Sequence, residues 1–272
     1  MERIEKAQEG EAEKGMGTGV PKLDELTGGM RRGHYWVIGA RTSVGKTSAL
    51  ITFSREPLQQ GKRVVFVSLE MDAGRIVQRY SSQISELSIG KMETKGGLRT
   101  RGEMTKLTVS VEELMGKRLH VIEPPSRSVH DIVRAVEREH KRQPIDLLVV
   151  DYLQKLKDPS TGKNMSRQAE LQNVSAEFQS MAKNLDCCVL TAAQLNRGSD
   201  GEGVRPKLSG FRECGDIEQD VDVAVLLHRG ERDEHEHDPN EPAELIVAKN
   251  RDGMTGTVDC IFRKPIMAWE GK

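Results

Sequence analysis

Apolar positions in this chain fall into short blocks, most of them separated by polar stretches of helix length. Tyr35 to Gly39 and Val64 to Ser68 are apolar runs of strand length. His120 to Ile122, Leu147 to Val150 and Val189 to Ala192 follow in the same style, the fourth run ending on Asp151. Runs without polar alternation belong to strands covered on both faces. Between them the period becomes helical. Lys46 to Gln60 reads as a helix in which Pro57 marks a bend or an early end. Residues 72 to 117 read as mostly helical, with a break at Gly96–Gly97. Ser128, followed by Asp131, caps a helix with Val129, Ile132, Val133 and Val136 on one face. Gln168 to Leu185 sets Leu171, Val174, Phe178, Met181 and Leu185 at helical spacing. Strands alternating with helices predict an α/β fold with a mostly parallel, covered sheet. Val221 to Leu227, Leu245 to Ala248 and Thr257 to Phe262 close the chain with no helix between them, which predicts an antiparallel extension. Asp233 to Pro242 reads as a polar, acidic connection within it.

A chain of 272 residues is long enough for a sizeable core. Its 36% hydrophobic and 31% charged residues exclude a disordered chain. A net charge of -1 excludes a wholly basic nucleic-acid coat and leaves room for a local basic patch. With 4% aromatics, nucleic-acid binding should rest on charge and backbone contacts rather than on stacked rings. No apolar run is long enough to span a bilayer, and the start has no signal-peptide core. Cys187, Cys188, Cys214 and Cys260 include no C-x-x-C pair, so reduced thiols in the cytoplasm are expected. The first residues are charged and Gly-punctuated, which predicts an arm over 1–16 followed by a single body over 17–272.

Chemistry concentrates first at "ARTSVGKT", residues 40 to 47. A phosphate-binding loop is usually written G-x-x-x-x-G-K-[ST], and Ala40 stands where the first glycine is expected. The glycine beside the lysine, Gly45, is present. A methyl at the first position is tolerable where the strand leaves the sheet, with Gly39 keeping the turn loose. A G-K-T opening a helix directly after a buried strand is the context that supports nucleotide binding. Ala40, Arg41, Ser43, Gly45, Lys46, Thr47 and Ser48 are the candidate cofactor contacts, with Thr47 also a metal candidate.

In open α/β sheets the site lies beyond the carboxyl ends of the strands, so acids there are the ones to inspect. "LLVVDY" delivers Asp151, which suits a Mg²⁺ anchor. "VVFVSLEM" delivers Glu70, which by spacing alone is as much a helix N-terminal acid as a base for water. "LTAAQLNR" puts Gln194 past the fifth strand, where an amide can touch a terminal phosphate or a water. "HEHD", residues 235 to 238, lies in the acidic connection without a rigid scaffold and is not taken as a metal site.

Taken together, these segments resemble the RecA-like P-loop NTPase motor domain of DnaB-type replicative helicases, whose phosphate loop allows Ala first. The resemblance runs through "TGVPKLDELTGGMRRG", "SLEM" with Arg79 following, "VVDYLQ", "AAQLNR", "FRECGDIEQDVDVAVLLHR" and "KNRDGMTGTV", over residues 17 to 265. It implies ATP and Mg²⁺ as cofactors, Lys46 and Thr47 on phosphates and metal, Asp151 supporting the metal, and Glu70 as general base. It implies that Gln194 couples nucleotide state to DNA-facing loops, and that Lys249 and Arg251 act in trans, the arginine as a finger. It further implies a homohexameric ring on single-stranded DNA, with unwinding driven by ATP in DNA replication. Basic residues of two loops, Lys163 and Arg167, then Arg197, Arg205, Lys207 and Arg212, are the DNA candidates. Full-length members carry an N-terminal collar that meets primase. The 272 residues are expected to leave no room for one, with 1–16 a charged arm or a remnant of the linker helix that docks on a neighbouring motor, so ring stability and any primase or loader contact stay open. Two further readings stay open at this point: a RecA-like DNA-dependent ATPase that loads or remodels protein–DNA complexes without unwinding, and a nucleotide-gated adaptor.

Overall fold

The computed structural model describes residues 14–160, 166–195, 204–214, 217–230 and 238–272, with backbone only at 212–214. The eight apolar runs all contribute strands: β1 Tyr35–Ala40, β2 Val64–Ser68, β3 Leu119–Ile122, β4 Leu147–Asp151, β5 Cys188–Gln194, β6 Val223–Arg229, β7 Asn240–Asn250 and β8 Gly256–Arg263. A ninth, β9 Ala268–Gly271, corresponds to none of those runs. The α-helices among the described residues are α1 Pro21–Thr27, α2 Lys46–Gln59, α3 Ala73–Ser85, α4 Ile89–Glu93, α5 Arg101–Gly116, α6 Val129–Arg142, α7 Arg167–Asn184 and α8 Ile217–Asp220.

All nine strands join one sheet in the order β3-β2-β4-β5-β1-β6-β7-β8-β9. The expected parallel sheet with an antiparallel extension is therefore present, but the boundary falls one strand later than the sequence suggests. β6 pairs parallel with β1 through Trp36↔Val223 to Gly39↔Leu226, and only β7, β8 and β9 run antiparallel. The reason is the crossover from β5, which carries the 3₁₀ turn Leu208–Cys214 and α8 and returns the chain to the amino end of β1.

Alternation along each strand decides which face a side chain serves. Trp36, Ile38 and Ala40 of β1 join Leu190, Ala192, Phe66 and Val149 in one core, together with Leu50, Phe53, Ile76 and Tyr80 from α2 and α3. Tyr35 and Val37 point the other way, to Val189, Leu148, Val65 and the buried faces of α6 and α7. Both faces are covered, so the strand sequences carry no polar alternation. α6 buries Val129, Ile132 and Val136, and α7 buries Leu171, Val174, Phe178 and Met181.

Some local expectations need correction. Pro57 neither ends nor interrupts α2, which continues to Gln59. Ser128 is the residue before α6, but its hydroxyl does not cap the helix. The first N–H, on Val129, is taken instead by the carbonyl of Lys157 at 2.9 Å. Asn240–Pro242 belong to β7 rather than to a connection. Pro242 is tolerated because β6 ends opposite Ala243, so a residue with no N–H to give sits where β7 has one neighbour. Residues 231–237, with most of the HEHD stretch, lie outside the described residues, as do 1–13 of the arm.

Candidate functional site

Three strand ends and one loop meet at the carboxyl edge of the parallel sheet. β1 sits between β5 and β6, and β4 between β2 and β5, so Ala40 pairs with Gln194 and Ser68 with Asp151. Ala40 is the last residue of β1 and is fully buried in the core. Its methyl replaces a glycine hydrogen at a place still inside the sheet, which is why the loop accepts it. Gly39 has a different task from the one expected. It is a strand residue, and a Cβ there would stand 2.5 Å from the Phe211 ring and 2.7 Å from Leu226. Close packing, not turn flexibility, requires the glycine.

Gly45 takes φ 113°, a conformation open to glycine, and α2 begins at the next residue. Its carbonyl accepts the indole N–H of Trp269 at 3.3 Å. The Arg229 guanidinium donates to the Val44 carbonyl at 3.2 Å while lying 4.1 Å over the Phe262 ring and pairing with Glu241. The extension strands thus brace the loop from behind. Neither Arg229 nor Trp269 stands out in the sequence, because nothing local to either connects it with residues 40 to 47.

Thr47 donates to Asp151 Oδ2 at 2.6 Å. The other carboxylate oxygen, Oδ1, is buried and has no hydrogen-bond partner among the described residues. Burial raises Asp151 above the ordinary carboxylate range; Glu70 nearby adds to this, while Thr47, Lys46 and Arg79 oppose it. Burial likewise lowers Lys46, with Asp151 and Glu70 opposing. Arg79, half-buried on α3, is lowered by burial and faces Asp151 and Glu70. The Lys46 ammonium lies 5.5 Å from the centre of the Tyr152 ring, and Lys155 lies at the same distance. A hydroxyl and a carboxylate with a spare buried oxygen suit a hard divalent cation held partly by phosphate. The helix N-terminus behind Gly45 suits the phosphates themselves. The residues therefore fit Mg²⁺ and a nucleoside triphosphate. Glu70 is exposed just beyond β2, and Leu69 N–H is held by the Asp151 carbonyl at 3.0 Å. The Gln194 side chain donates to Thr42 Oγ1 at 3.1 Å, placing it against the loop.

Lys249 and Arg251 lie elsewhere. Lys249, at the end of β7, pairs in register with Ala224, and its ammonium donates to the Glu218 carbonyl. Arg251 follows in the turn and donates to Asp222 Oδ1 at 2.7 Å. Asp222 Oδ2 accepts the N–H of Tyr35, the first residue of β1, at 2.9 Å. Both cations therefore sit at the amino edge of the parallel sheet. The length of β1, about 17 Å at the usual rise, separates that edge from the loop. Asp222 lies within the run Val221 to Leu227 and the segment that carries the resemblance, but no local pattern gives it a role.

Of the DNA candidates, Arg167 opens α7, pairs with Glu170 and donates to the Gln154 carbonyl at 2.7 Å. Arg205 pairs with Glu244 of β7, and Lys207 is exposed. Lys163, Arg197 and the Arg212 side chain lie outside the described residues. Cys187, Cys188 and Cys260 are buried free thiols. Among the described residues no helix is long and apolar enough to cross a membrane.

A strand, a phosphate loop, a helix and an acid at the end of β4, which β5 separates from β1, define in this strand order a RecA-like P-loop ATPase fold. The profile of the DnaB-like helicase C terminal domain matches residues 15–271, and the chain belongs to that family. It is 31% identical over 252 residues to the replicative DNA helicase DnaC of Bacillus subtilis, covering 92% of this chain and 55% of that one. It is 34% identical over 242 residues to a probable plasmid replicative DNA helicase of Chlamydia psittaci, covering 88% and 52%. The chain thus spans about half the length of these curated relatives. Among solved structures, one described as an ATPase domain superimposes with a TM-score of 0.88 at 27% identity, covering 99% of this chain and 96% of that one. A DnaB-like replicative helicase, described with its primase interactions, also gives 0.88, at 26% identity and with 65% of that chain covered.

Proposed function

We propose that residues 17–272 form the ATP-driven motor of a DNA helicase that acts as a homohexameric ring on single-stranded DNA during replication, with 1–16 as a docking arm. The observation that carries this reading is the separation of Arg251 and Lys249 from their own chain's phosphate loop by the length of β1. Such cations serve a terminal phosphate only on another copy, which calls for sites shared between subunits. An arginine supplied in trans is typically worth ~10³–10⁵ in rate.

Within one site, Lys46 balances phosphate charge, Thr47 and Asp151 hold the metal, and Glu70 takes the proton from the attacking water. Mg²⁺, when bound, neutralises charge on the terminal phosphates. Gln194, against Thr42, reports whether the terminal phosphate is present. Arg167, Arg205 and Lys207, with Lys163, Arg197 and Arg212, would meet DNA phosphates without reading sequence. A contact with primase or a loader belongs to the same reading, since a DnaB-like structural neighbour is described with primase interactions.

The test is ATP hydrolysis with and without single-stranded DNA, alongside a forked duplex and mass measurement in solution. Expected are DNA-stimulated hydrolysis, ATP-dependent strand separation and a hexamer in the presence of ATP and DNA. A monomer hydrolysing at full rate on DNA would overturn the shared site. Hydrolysis by a hexamer without strand separation would point to remodelling of protein–DNA complexes instead.

A further inference from the structure

The turn after β4 carries a connection that the catalytic residues do not use. β4 and β5 pair in parallel as far as Val150↔Thr191, while β5 itself continues to Gln194. Beyond the last pair, the side chain of Gln154 does the work of the missing strand. Gln194 N–H donates to Gln154 Oε1 at 3.0 Å, and Gln154 Nε2 donates to the Gln194 carbonyl at 2.9 Å. A carboxamide carries an acceptor and a donor side by side, which matches the N–H and C=O of a single residue. Gln154 stands in the 3₁₀ turn Leu153–Lys155, which the buried Leu153 and Leu156 anchor on the core.

Each end of this clamp leads somewhere. On one side, the Gln194 side chain reaches Thr42 of the phosphate loop at 3.1 Å. On the other, the Gln154 main-chain carbonyl accepts from Arg167 Nη2 at 2.7 Å, and Arg167 also pairs with Glu170. Glu170 Oε1 in turn accepts the N–H of Asp158 at 3.0 Å, tying the start of α7 to the segment that leaves the turn. A continuous set of hydrogen bonds thus joins Thr42 to the first turn of α7. A strand pairing at the same place would be backed by the rest of the ladder. A single side chain holding a single backbone is easier to release.

We propose that Gln154 is a positioning residue: it fixes the Gln194 backbone and transmits the nucleotide state of the phosphate loop to Arg167 and the start of α7. The consequence for DNA rests on the function proposed above, in which Gln194 reports on the terminal phosphate and Arg167 faces DNA. The relay itself is independent of DNA and is tested without it.

The experiment is amide hydrogen exchange on the full chain with Mg²⁺ and either ADP or a non-hydrolysable ATP analogue. In the wild type, peptides over residues 166–170 should exchange differently in the two states. In Gln154→Ala that difference should vanish, while residues 40–48 remain protected by either nucleotide. Persistence of the difference in the variant would overturn the relay. So would its absence in a wild type whose phosphate loop is protected. Should Gln154→Ala lose cooperative unfolding, Gln154→Glu replaces it: the size is kept and the N–H still finds an acceptor, but the carboxylate faces the Gln194 carbonyl, and the same loss is expected. A second arm uses oligo(dT). The ratio of stimulated to basal hydrolysis should fall in Gln154→Ala and in Arg167→Ala, with no further fall in the double variant. Additive losses would overturn the coupling of the two residues. A wild type that oligo(dT) does not stimulate would count against the proposed function, while the exchange result still decides the relay.

Discussion

The Thr47 hydroxyl donates to Asp151 Oδ2 at 2.6 Å, across the gap between the helix that follows β1 and the end of β4. This bond fixes one carboxylate oxygen and leaves the other buried and without a hydrogen-bond partner among the described residues. It joins two segments separated by more than a hundred positions in the chain, and the proposed metal site depends on the sheet order that brings them together.

Asp151→Asn tests what the site costs the protein at rest. Asparagine keeps an acceptor for Thr47 and removes a buried charge. Burial raises Asp151, so the native state holds its proton more tightly than the unfolded chain does. Stability without metal or nucleotide therefore falls as pH rises from the ordinary carboxylate range through the raised value. At neutral pH the variant should melt about 2–4 °C higher, the shift roughly 1 kcal/mol gives for a chain of this size. Hydrolysis with Mg²⁺ should be abolished. Calorimetry without Mg²⁺, over a pH series, checks the sign.

Ala40→Gly would restore the usual first residue of a phosphate loop. Ala40 is buried and still in β1, so the change removes a packed methyl and adds backbone freedom. Stability should fall by about 1 kcal/mol with no gain in nucleotide affinity. Gly39→Ala should cost more, about 1–3 kcal/mol, because its Cβ would press on Phe211 and Leu226. Denaturant midpoints for the pair would rank them; a neutral Gly39→Ala would contradict the packing argument.

Lys46→Ala and Arg251→Ala should each abolish hydrolysis, since the proposed site takes the lysine from one subunit and the arginine from the next. Mixing the two variants should restore part of the rate through interfaces that receive both native residues. Recovery is read as phosphate release against mixing ratio, in samples shown to exchange subunits. A flat line would remove the trans assignment of Arg251.

Burial pushes the Cys187 and Cys260 thiols up to about 12, and Cys188 upward as well. Thiolate is the reactive form, so the three should resist a disulfide reagent at pH 8 in the native state. Peptide mapping after labelling should find them modified only once the chain is unfolded. Rapid native labelling of Cys188, which lies in the sheet interior, would contradict the fold around β5.

Sequence alone determined most of the strands and the longer helices, and it singled out the candidates for the site. Continuous apolar runs mark strands covered on both faces, and the helical periods of 129–136 and 171–185 identified the buried faces of α6 and α7. Thr47 and Asp151 were legible because a phosphate loop and a strand-end acid are local patterns. Tertiary structure decided the rest. Which strand residues face which core depends on strand pairing, which an unbroken apolar run does not encode. That β6 joins the parallel set, that Trp269 and Arg229 brace the loop, and that Gln154 clasps Gln194 are contacts between residues distant along the chain. The place of Arg251 at the sheet edge away from its own phosphate loop follows from the direction of β6 and β7. Strand direction is settled by how the whole sheet closes its hydrogen bonds, so no stretch of sequence holds it locally.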